Sequence, residues 1–460
     1  MNAKQAITDL GYDLSTTALT FYGQTDDGKT VFASLPMVGA TTWHGGAAFD
    51  LKFLPGLFLK GLKVLEGQGY VFAPKGSICG SVRQHDMVLL DRSGRPLIPA
   101  LSWQCDKATQ EVALLRQSGV ESIVGRLETR FVLAKLLWAV NQRGDLFDSV
   151  HRVMMTGDLV ALKLTGKARL GSSDALSNGL LDQHTRAFAL KALTKTNIPS
   201  NWFPSVVQSA DVVGVVREEE DSEWEEVISR LKDWKVVASL GDNHAGGVGC
   251  GLVDRNTFVV SLGTSGTVVR RADSLLPVQG EVAQFEYYGD RLILAMLANC
   301  GAWWGEFVKT HGDGKGDQEL DGLADNAAGC IVPLESEASC KNRNFTMLSL
   351  GEKAASVQLA LAGSLMDRLR DILSAVGDSE HTISKVVLTG GLSRSPLIRR
   401  TFKKWIQELD IDDVFVSALE GPAADQAAAR GALMNALVGS GAYPDLSAAA
   451  MAFCPLKKLE

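Results

Sequence analysis

Apolar and polar residues alternate near the start of the chain over positions 7–14, 18–22 and 31–35, with Ser-Thr-Thr and Asp-Asp-Gly between the runs. A period of two broken by turn residues predicts three strands joined as a meander. From residue 131 the spacing changes. Leu133, Leu136, Leu137 and Val140, then Val160 and Leu164, recur every three to four residues, predicting helices over 131–164 and onward to 197. An acidic stretch at 217–226 reads as the solvated entry to a helix at 227–234. An apolar strand, 236–240, then runs into a small-residue helix, 245–252. A second series follows: strand 257–262, a tight turn, strand 267–269, helices near 354–376, strand 385–389, and a helix opening at Ser395-Pro396. Strand-turn-strand followed by helices in each half reads as a diverged internal duplication, with domains 1–252 and 253–460.

A chain of 460 residues is too long for one ordinary core, so two domains with a cleft between them are expected. With 46% apolar and 22% charged residues, the composition is that of a soluble globular protein. A net charge of −7 without a basic block gives no footprint for nucleic acid or an anionic membrane. The first ten residues lack the basic start and apolar core of a signal peptide, and no apolar run is long enough to cross a bilayer. Seven cysteines without Cys-x-x-Cys or Cys/His ligand spacing read as reduced thiols of a cytoplasmic protein.

Residues 23–30 fit the spacing of a P-loop, yet a strand follows the lysine and Asp26 and Asp27 would lie where phosphates belong. The segment is therefore expected to be a hairpin turn. Nor does a G-x-G-x-x-G follow a strand in a βαβ setting, so a dinucleotide enzyme lacks its fingerprint. Better phosphate candidates are the turns Asp13-Leu14-Ser15-Thr16-Thr17 and Gly263-Thr264-Ser265-Gly266, where backbone N–H groups and hydroxyls can meet an anion. Either alone reads equally as a plain turn; together they could hold a polyphosphate from two sides. Gly390-Gly391-Leu392-Ser393 ends a buried strand and lets the backbone pass close to a purine or phosphate. Asp242, between a strand and a helix, is expected at the positive end of a helix dipole, ionised and able to accept a hydroxyl proton. Asp13 could orient a hydrated Mg²⁺.

These motifs together resemble the FGGY-type carbohydrate kinases, within the superfamily of actin, hexokinase and the heat-shock chaperone ATPases. The 13–17 turn resembles the family's first phosphate motif, 263–266 its second, 388–395 its adenosine motif, and Gly241-Asp242-Asn243 the segment with the catalytic base. Arg83-Gln84-His85 followed by Leu89-Leu90-Asp91 is similar to the sugar-contacting His loop of xylulose kinases. Lys135-Leu136-Leu137-Trp138, and Leu164-Thr165-Gly166 with Ser173-Asp174-Ala175, resemble further stretches of the first domain.

The resemblance implies an α/β fold of two actin-like, ribonuclease H-like domains, each a mixed sheet flanked by helices, closing over MgATP and a sugar. Asp242 would be the base. His85, Gln84, Trp103, Asp106 and Asn243 would contact the sugar. Ser15, Thr16, Thr17, Gly263, Thr264, Ser265, Gly266, Gly390, Gly391 and Ser393 would hold ATP, and Asp13 the Mg²⁺. The leading expectation is phosphorylation of a small polyol or ketose, most like xylulose or ribulose. Glycerol and sugar acids stay open, Lys107 and Arg83 being the available anchors for an acid. A nucleotide-binding switch that phosphorylates nothing is the expectation from another class. Homodimerisation stays open, with no interface assigned.

Several positions depart from the family pattern. Ser15 replaces a glycine, where its side chain either crowds the γ-phosphate or points away. Asp86 replaces a glycine after His85. The Trp-x-Asp-x-Arg sugar segment reads Trp103-Gln104-Cys105-Asp106-Lys107, and the Pro333-Leu334-Glu335-Ser336-Glu337 loop is trimmed. Trp303 and Trp304 are expected in the core.

Overall fold

The computed structural model describes residues 5–217, 223–263, 265–276, 282–327, 332–334, 340, 343–378, 382–409, 414–417, 426–454 and 456–458. The chain forms two compact units. The first holds Met1–Gly251 with Phe285–Arg291 and Gln426–Phe453; the second holds Leu252–Gln284, Leu292–Asp425 and Cys454–Glu460. The division falls after Gly251, and the first unit also takes two segments from late in the chain. Among the described residues, no helix is long and apolar enough to cross a membrane.

In the first unit, β1 (Ala6–Leu14), β2 (Ala18–Thr25) and β3 (Thr30–Pro36) pair antiparallel as the expected meander. The 23–30 segment is the hairpin turn between β2 and β3: the Thr25 N–H donates to Lys29 O at 2.9 Å, and Asp27 accepts from the Thr25 hydroxyl at 2.6 Å. β4 (Val71–Val82) lies parallel to β1, and the sheet continues through β5 (Val212–Val215) and β6 (Lys235–Val237) in the order β5-β6-β4-β1-β2-β3. The short β7 (Leu240–Gly241) also pairs with β4. The single strand expected over 236–240 is thus two, and the next helix starts early, at Asp242. The helix expected over 227–234 is shorter, Glu225–Arg230.

A second seven-stranded sheet, its strands in the second unit apart from the Phe285–Arg291 stretch of β10 and β11, runs β10-β11-β9-β8-β12-β13-β14. Its strands are β8 (Thr257–Leu262), β9 (Gly266–Ala272), β10 (Ala283–Tyr287), β11 (Asp290–Leu297), β12 (Lys385–Thr389), β13 (Val414–Ser417) and β14 (Leu456–Lys458). Here β8 pairs antiparallel with β9 and parallel with β12, which is parallel to β13. The first sheet repeats this plan, β1 being antiparallel to β2 and parallel to β4, which is parallel to β6. The helix Leu350–Val376 covers this sheet with Leu361, Leu365, Leu369 and Ile372 buried at helical spacing. Its start is fixed by a capping box between Ser349 and Glu352.

The late helix Ala427–Ser440 belongs to the first unit because small residues let it press against neighbouring backbone. It packs on β1, β4 and the helix Asp242–Gly249. At that crossing, a Cβ on Gly249 would lie 1.8 Å from Ala427 O, and one on Gly431 would lie 1.8 Å from Ala245 O. Neither helix can retreat without leaving the sheet. Gly431→Ala is therefore expected to destabilise the protein by about 1–3 kcal/mol in urea unfolding. Gly363→Ala, where the added methyl meets nothing within 4 Å beyond its own helix, should be neutral or stabilising by up to about 1 kcal/mol. Equal losses in both would refute the close-packing argument.

Candidate active site

The site in the first unit is set by register. Asp13 lies opposite Ser81 in the β1–β4 pairing, and Gly241 opposite Val82 in the β4–β7 pairing. The turn after β1, the loop after β4 and the helix after β7 therefore leave the sheet side by side. These segments carry Asp13, Arg83-Gln84-His85-Asp86 and Asp242-Asn243.

Asp242 is the first residue of its helix, half-buried. Its Oδ1 accepts from the Asn243 N–H at 2.8 Å and from Asn243 Nδ2 at 3.2 Å, and the carboxylate also takes a backbone N–H from Gln84. Burial raises its pKa to about 6 against these hydrogen bonds, with Asp86 adding to the rise and Arg83 opposing it. Desolvation thus outweighs the helix dipole expected to hold it low, although the carboxylate is still mostly ionised at neutral pH. Asn243 Nδ2 donates to Gln84 Oε1 at 2.7 Å, and Gln84 Nε2 meets His244 Nδ1 at 3.3 Å. The other His244 nitrogen bonds Glu286 O, and burial brings the imidazole down to about 4, so it is neutral. Asp242 is accordingly oriented by a chain of neutral side chains.

Asp13 accepts from the Ser81 hydroxyl at 2.7 Å. Burial raises it to about 7; Ser81 and Arg83 oppose that, and Asp242 reinforces it. Ser15 turns back into its own hairpin: its hydroxyl accepts from Ala18 N at 3.0 Å and donates to Ala18 O at 2.9 Å. The side chain replacing the usual glycine is therefore used inside the turn. Thr16 and Thr17 are exposed at its tip, where the Thr16 hydroxyl accepts from Trp103 Nε1 at 3.1 Å.

His85 is buried with a left-handed backbone, φ +72°. Its Nδ1 meets Asn178 Oδ1 at 3.0 Å and its ring stacks on Phe131 at 4.8 Å. Burial and the nearby Arg130 keep it well below the usual histidine range and neutral. The buried Lys135 ammonium donates to the carbonyls of His85, Leu101 and Ser102, the last two at 3.0 Å. One cation thus ties the His85 loop to the Trp103 turn, and burial brings that cation down to about 8. Asp106 is not gathered with these groups. Its carboxylate is 79% exposed and pairs with its neighbour Lys107 at 3.6 Å.

In the second unit, β8 and β12 run parallel with Ser261 opposite Thr389, so the turns that follow them adjoin. Gly390 has φ +89°, and a Cβ there would lie 2.7 Å from the Leu262 carbonyl carbon and 3.0 Å from Gly263 N. Gly391 faces open space, with nothing within 4 Å of the position a Cβ would take. Ser393 closes its turn by donating to Gly390 O at 2.7 Å, and Gly263 O accepts from Gly301 N at 2.8 Å. Ser265 and Gly266 enter β9. Thr264, and Glu335, Ser336 and Glu337 of the Pro333 loop, lie outside the described residues. Trp303 and Trp304 are buried in this unit's core.

Sequence reasoning did not single out Lys135, Asn178 or His244 as supports of the site. The histidine two positions after the proposed base was the available signal for His244. Asn178, which receives the Val132 N–H on the same oxygen that meets His85, had none.

Two sheets of the same meander-and-crossover plan, one ending in half-buried carboxylates and the other in glycine turns, define an actin-like α/β fold. Residues 76–249 match the FGGY family of carbohydrate kinases, N-terminal domain. The xylulose kinase of Lactococcus lactis subsp. lactis (strain IL1403) is 27% identical over 406 residues, 82% of this chain and 76% of that protein. The fold superposes on a ligand-bound xylulose kinase from Lactobacillus acidophilus with a TM-score of 0.82 and 18% identity, covering 98% of this chain and 92% of that one. A gluconate kinase from the same organism gives a TM-score of 0.81 at 18% identity with the same coverages. The chain is thus similar to the FGGY family of carbohydrate kinases over residues 76–249, and to xylulose kinases along most of its length.

Folding raises the Asp242 carboxyl above its value in the unfolded chain, so the ionised group opposes folding, and that opposition fades as pH falls through about 6. Asp242→Asn keeps an acceptor for the Asn243 N–H and removes the charge. It is expected to raise the thermal midpoint at about pH 8 by an amount worth of order 1 kcal/mol, and by less at about pH 5. A lower midpoint at the higher pH would contradict this account.

Proposed function

We propose that the protein transfers the γ-phosphoryl group of ATP to a hydroxyl of a ketopentose, with xylulose and ribulose first, and that Asp242 is the general base. The observation that carries this reading is Asp242 itself, a desolvated carboxylate still ionised near neutrality and oriented by Asn243 and Gln84 beside the His85 loop. The names of the relatives point the same way.

In the proposed reaction, the sugar hydroxyl gives its proton to Asp242 as its oxygen bonds to the γ-phosphorus. The bond from that phosphorus to the bridging oxygen breaks, and ADP leaves. Because such transition states are loose, holding the reactants in line and neutralising charge contribute more than basicity. His85, Gln84, Trp103 and Asn243 would position the sugar. Asp106, exposed and paired with Lys107, has the weakest support in that role.

Thr16 and Thr17 in the first unit, and Gly263, Ser265, Gly266, Gly390, Gly391 and Ser393 in the second, would hold the nucleotide. The open space at Gly391 fits such a ligand. Among the described residues no three ligating side chains cluster, but Mg²⁺ keeps several waters and needs only one or two carboxylates. Asp13 suits it, since burial and the Asp242 charge leave this carboxylate short of positive charge. Bound there, the ion would supply charge neutralisation on the phosphates.

A sugar-acid substrate is less well supported. Arg83 is engaged by Asp86 and Ser15 O, and Lys107 by Asp106. Among the described residues the six cysteines form no disulfide, and four of them are buried, in keeping with the cytoplasm as the compartment.

Coupled ADP release with MgATP across D-xylulose, D-ribulose, L-ribulose, L-xylulose, ribitol, glycerol and gluconate tests the reading. A sugar-dependent rate is expected, reduced at least ~100-fold in Asp242→Asn. Its kcat/KM should fall as pH drops through about 6, because protonated Asp242 cannot accept the hydroxyl proton. Silence across the panel with nucleotide binding intact would favour a nucleotide switch. An asparagine variant with wild-type turnover would remove Asp242 from the mechanism.

A further inference from the structure

His244 lies two residues after the proposed base, on the helix Asp242–Gly249, and is fully buried. Both of its ring nitrogens are used: Nε2 meets Glu286 O, and Nδ1 meets Gln84 Nε2 at 3.3 Å. The ring stacks on Tyr287 at 5.8 Å and lies 6.2 Å from Phe285. These partners sit in the β10–β11 hairpin, on the Phe285–Arg291 stretch that belongs to the first unit. The hairpin is firmly set. Tyr288 and Gly289 have φ of +48° and +87°, the two positive values that a two-residue type I′ turn requires. The Gly289 N–H donates to Glu286 Oε1 at 2.9 Å, and the Tyr288 hydroxyl donates to Asn435 Oδ1 at 2.7 Å.

The hydrogen bonds that leave this hairpin can run in one direction only. A carbonyl oxygen accepts and never donates, so the hydrogen on His244 must be on Nε2. The buried ring is neutral and has one such hydrogen, which makes Nδ1 an acceptor. Gln84 must then turn its amide nitrogen to the ring and its Oε1 to Asn243, whose Nδ2 donates to it at 2.7 Å. The second hydrogen on Asn243 Nδ2 is left for Asp242 Oδ1, at 3.2 Å. Each link thus joins one donor to one acceptor. A hydrogen on Nδ1 would reverse the order. Gln84 would have to turn its amide over, its Nε2 would face Asn243 Nδ2, and an Asn243 that turned in response would set its own carbonyl oxygen against the Asp242 carboxylate.

We propose that His244 is a positioning residue for Asp242: the main-chain carbonyl of Glu286 fixes its tautomer, and the tautomer fixes the direction of the Gln84 and Asn243 hydrogen bonds that hold the base. This rests on the kinase reading above. Packing alone does not call for an imidazole, since an apolar ring would lie equally well between Phe285 and Tyr287. What the imidazole adds is a donor on one side and an acceptor on the other.

The tautomer can be read without turnover. In nitrogen-15 NMR of the full chain near neutral pH, the imidazole whose signals disappear in His244→Asn, one of seven histidines, is expected to carry its proton on Nε2 with Nδ1 bare. A proton on Nδ1 would overturn the proposal.

The positioning role is read in the ADP-release assay. His244→Phe is expected to lower kcat at least ~10-fold, because a small misplacement of the base is costly, while KM for ATP stays within about twofold. His244→Leu serves as a second apolar variant should the larger ring not fit. His244→Asn should recover most of the lost kcat, since its Oδ1 stands where Nδ1 stood and again accepts from Gln84. It should do so although the smaller side chain leaves a cavity and lowers the thermal midpoint further than phenylalanine does. Wild-type kcat in the folded apolar variants, or a kcat that follows the thermal midpoint across the series, would overturn the proposal. If the wild-type protein shows no sugar-dependent ADP release, the kinase reading fails and the positioning role falls with it, while the NMR result still decides whether the Glu286 carbonyl sets the direction of these bonds.

Discussion

Everything in the first unit's site depends on the register of three strands. β1 and β4 run parallel with Asp13 opposite Ser81, and β7 joins β4 with Gly241 opposite Val82. Those pairings place the ends of three distant segments in one row, so a turn, a loop and a helix start are adjacent before any side chain is considered. A slip of one residue along β4 would send Ser81 to the opposite face and remove the hydrogen bond to Asp13. The second unit uses the same device, with β8 and β12 in parallel register placing Gly263 against Gly390.

That row has an electrostatic consequence. Asp13 and Asp242 lie close enough for each charge to matter to the other, in surroundings where desolvation is the largest influence on both. Two such carboxylates carry an unfavourable interaction that hydrogen bonds from Ser81, Asn243 and Gln84 offset only in part. A metal ion with phosphates, or a proton taken from a substrate, would relieve it. The strain thus points toward the chemistry proposed, and it is a feature that a fold selected for stability alone would remove.

The elements were largely legible because they rest on local signals. The β1–β3 meander, strands 257–262 and 385–389, and the helix opening at Pro396 follow period-two alternation, turn residues and a proline at the first helical position. Asp242 could be located at a strand-to-helix junction, but its environment could not. The helix dipole is a local property readable from sequence, whereas desolvation depends on what long-range pairing brings nearby, and desolvation dominates. Lys135 illustrates the same limit. Its surroundings in sequence are those of an ordinary amphipathic helix, and only the fold shows its ammonium reaching carbonyls more than thirty positions away. The assignment of 427–440 to the first unit was hidden for the same reason. Ala427, Ala429 and Gly431 look merely like a small-residue helix until the neighbouring backbone is in place.

The departures from the family pattern were read as separate, and the structure makes them one. Ser15 spends its hydroxyl inside its turn while its carbonyl receives Arg83. Arg83 is held by Asp86, the residue in place of a glycine, and Asp86 also receives the Trp103 N–H. Cys105, at the position expected for aspartate, is fully buried, and its N–H donates to Ser102 O, the same carbonyl that Lys135 holds. A carboxylate at position 105 would be buried beside an ammonium already committed to three carbonyls, and Asp106, the displaced acid, faces solvent instead. Substitutions that share hydrogen bonds are expected to be strongly non-additive. Their joint presence is therefore better explained as one rearranged wall on the proposed sugar side than as the piecemeal decay of an active site, and the proposed base remains oriented beside it.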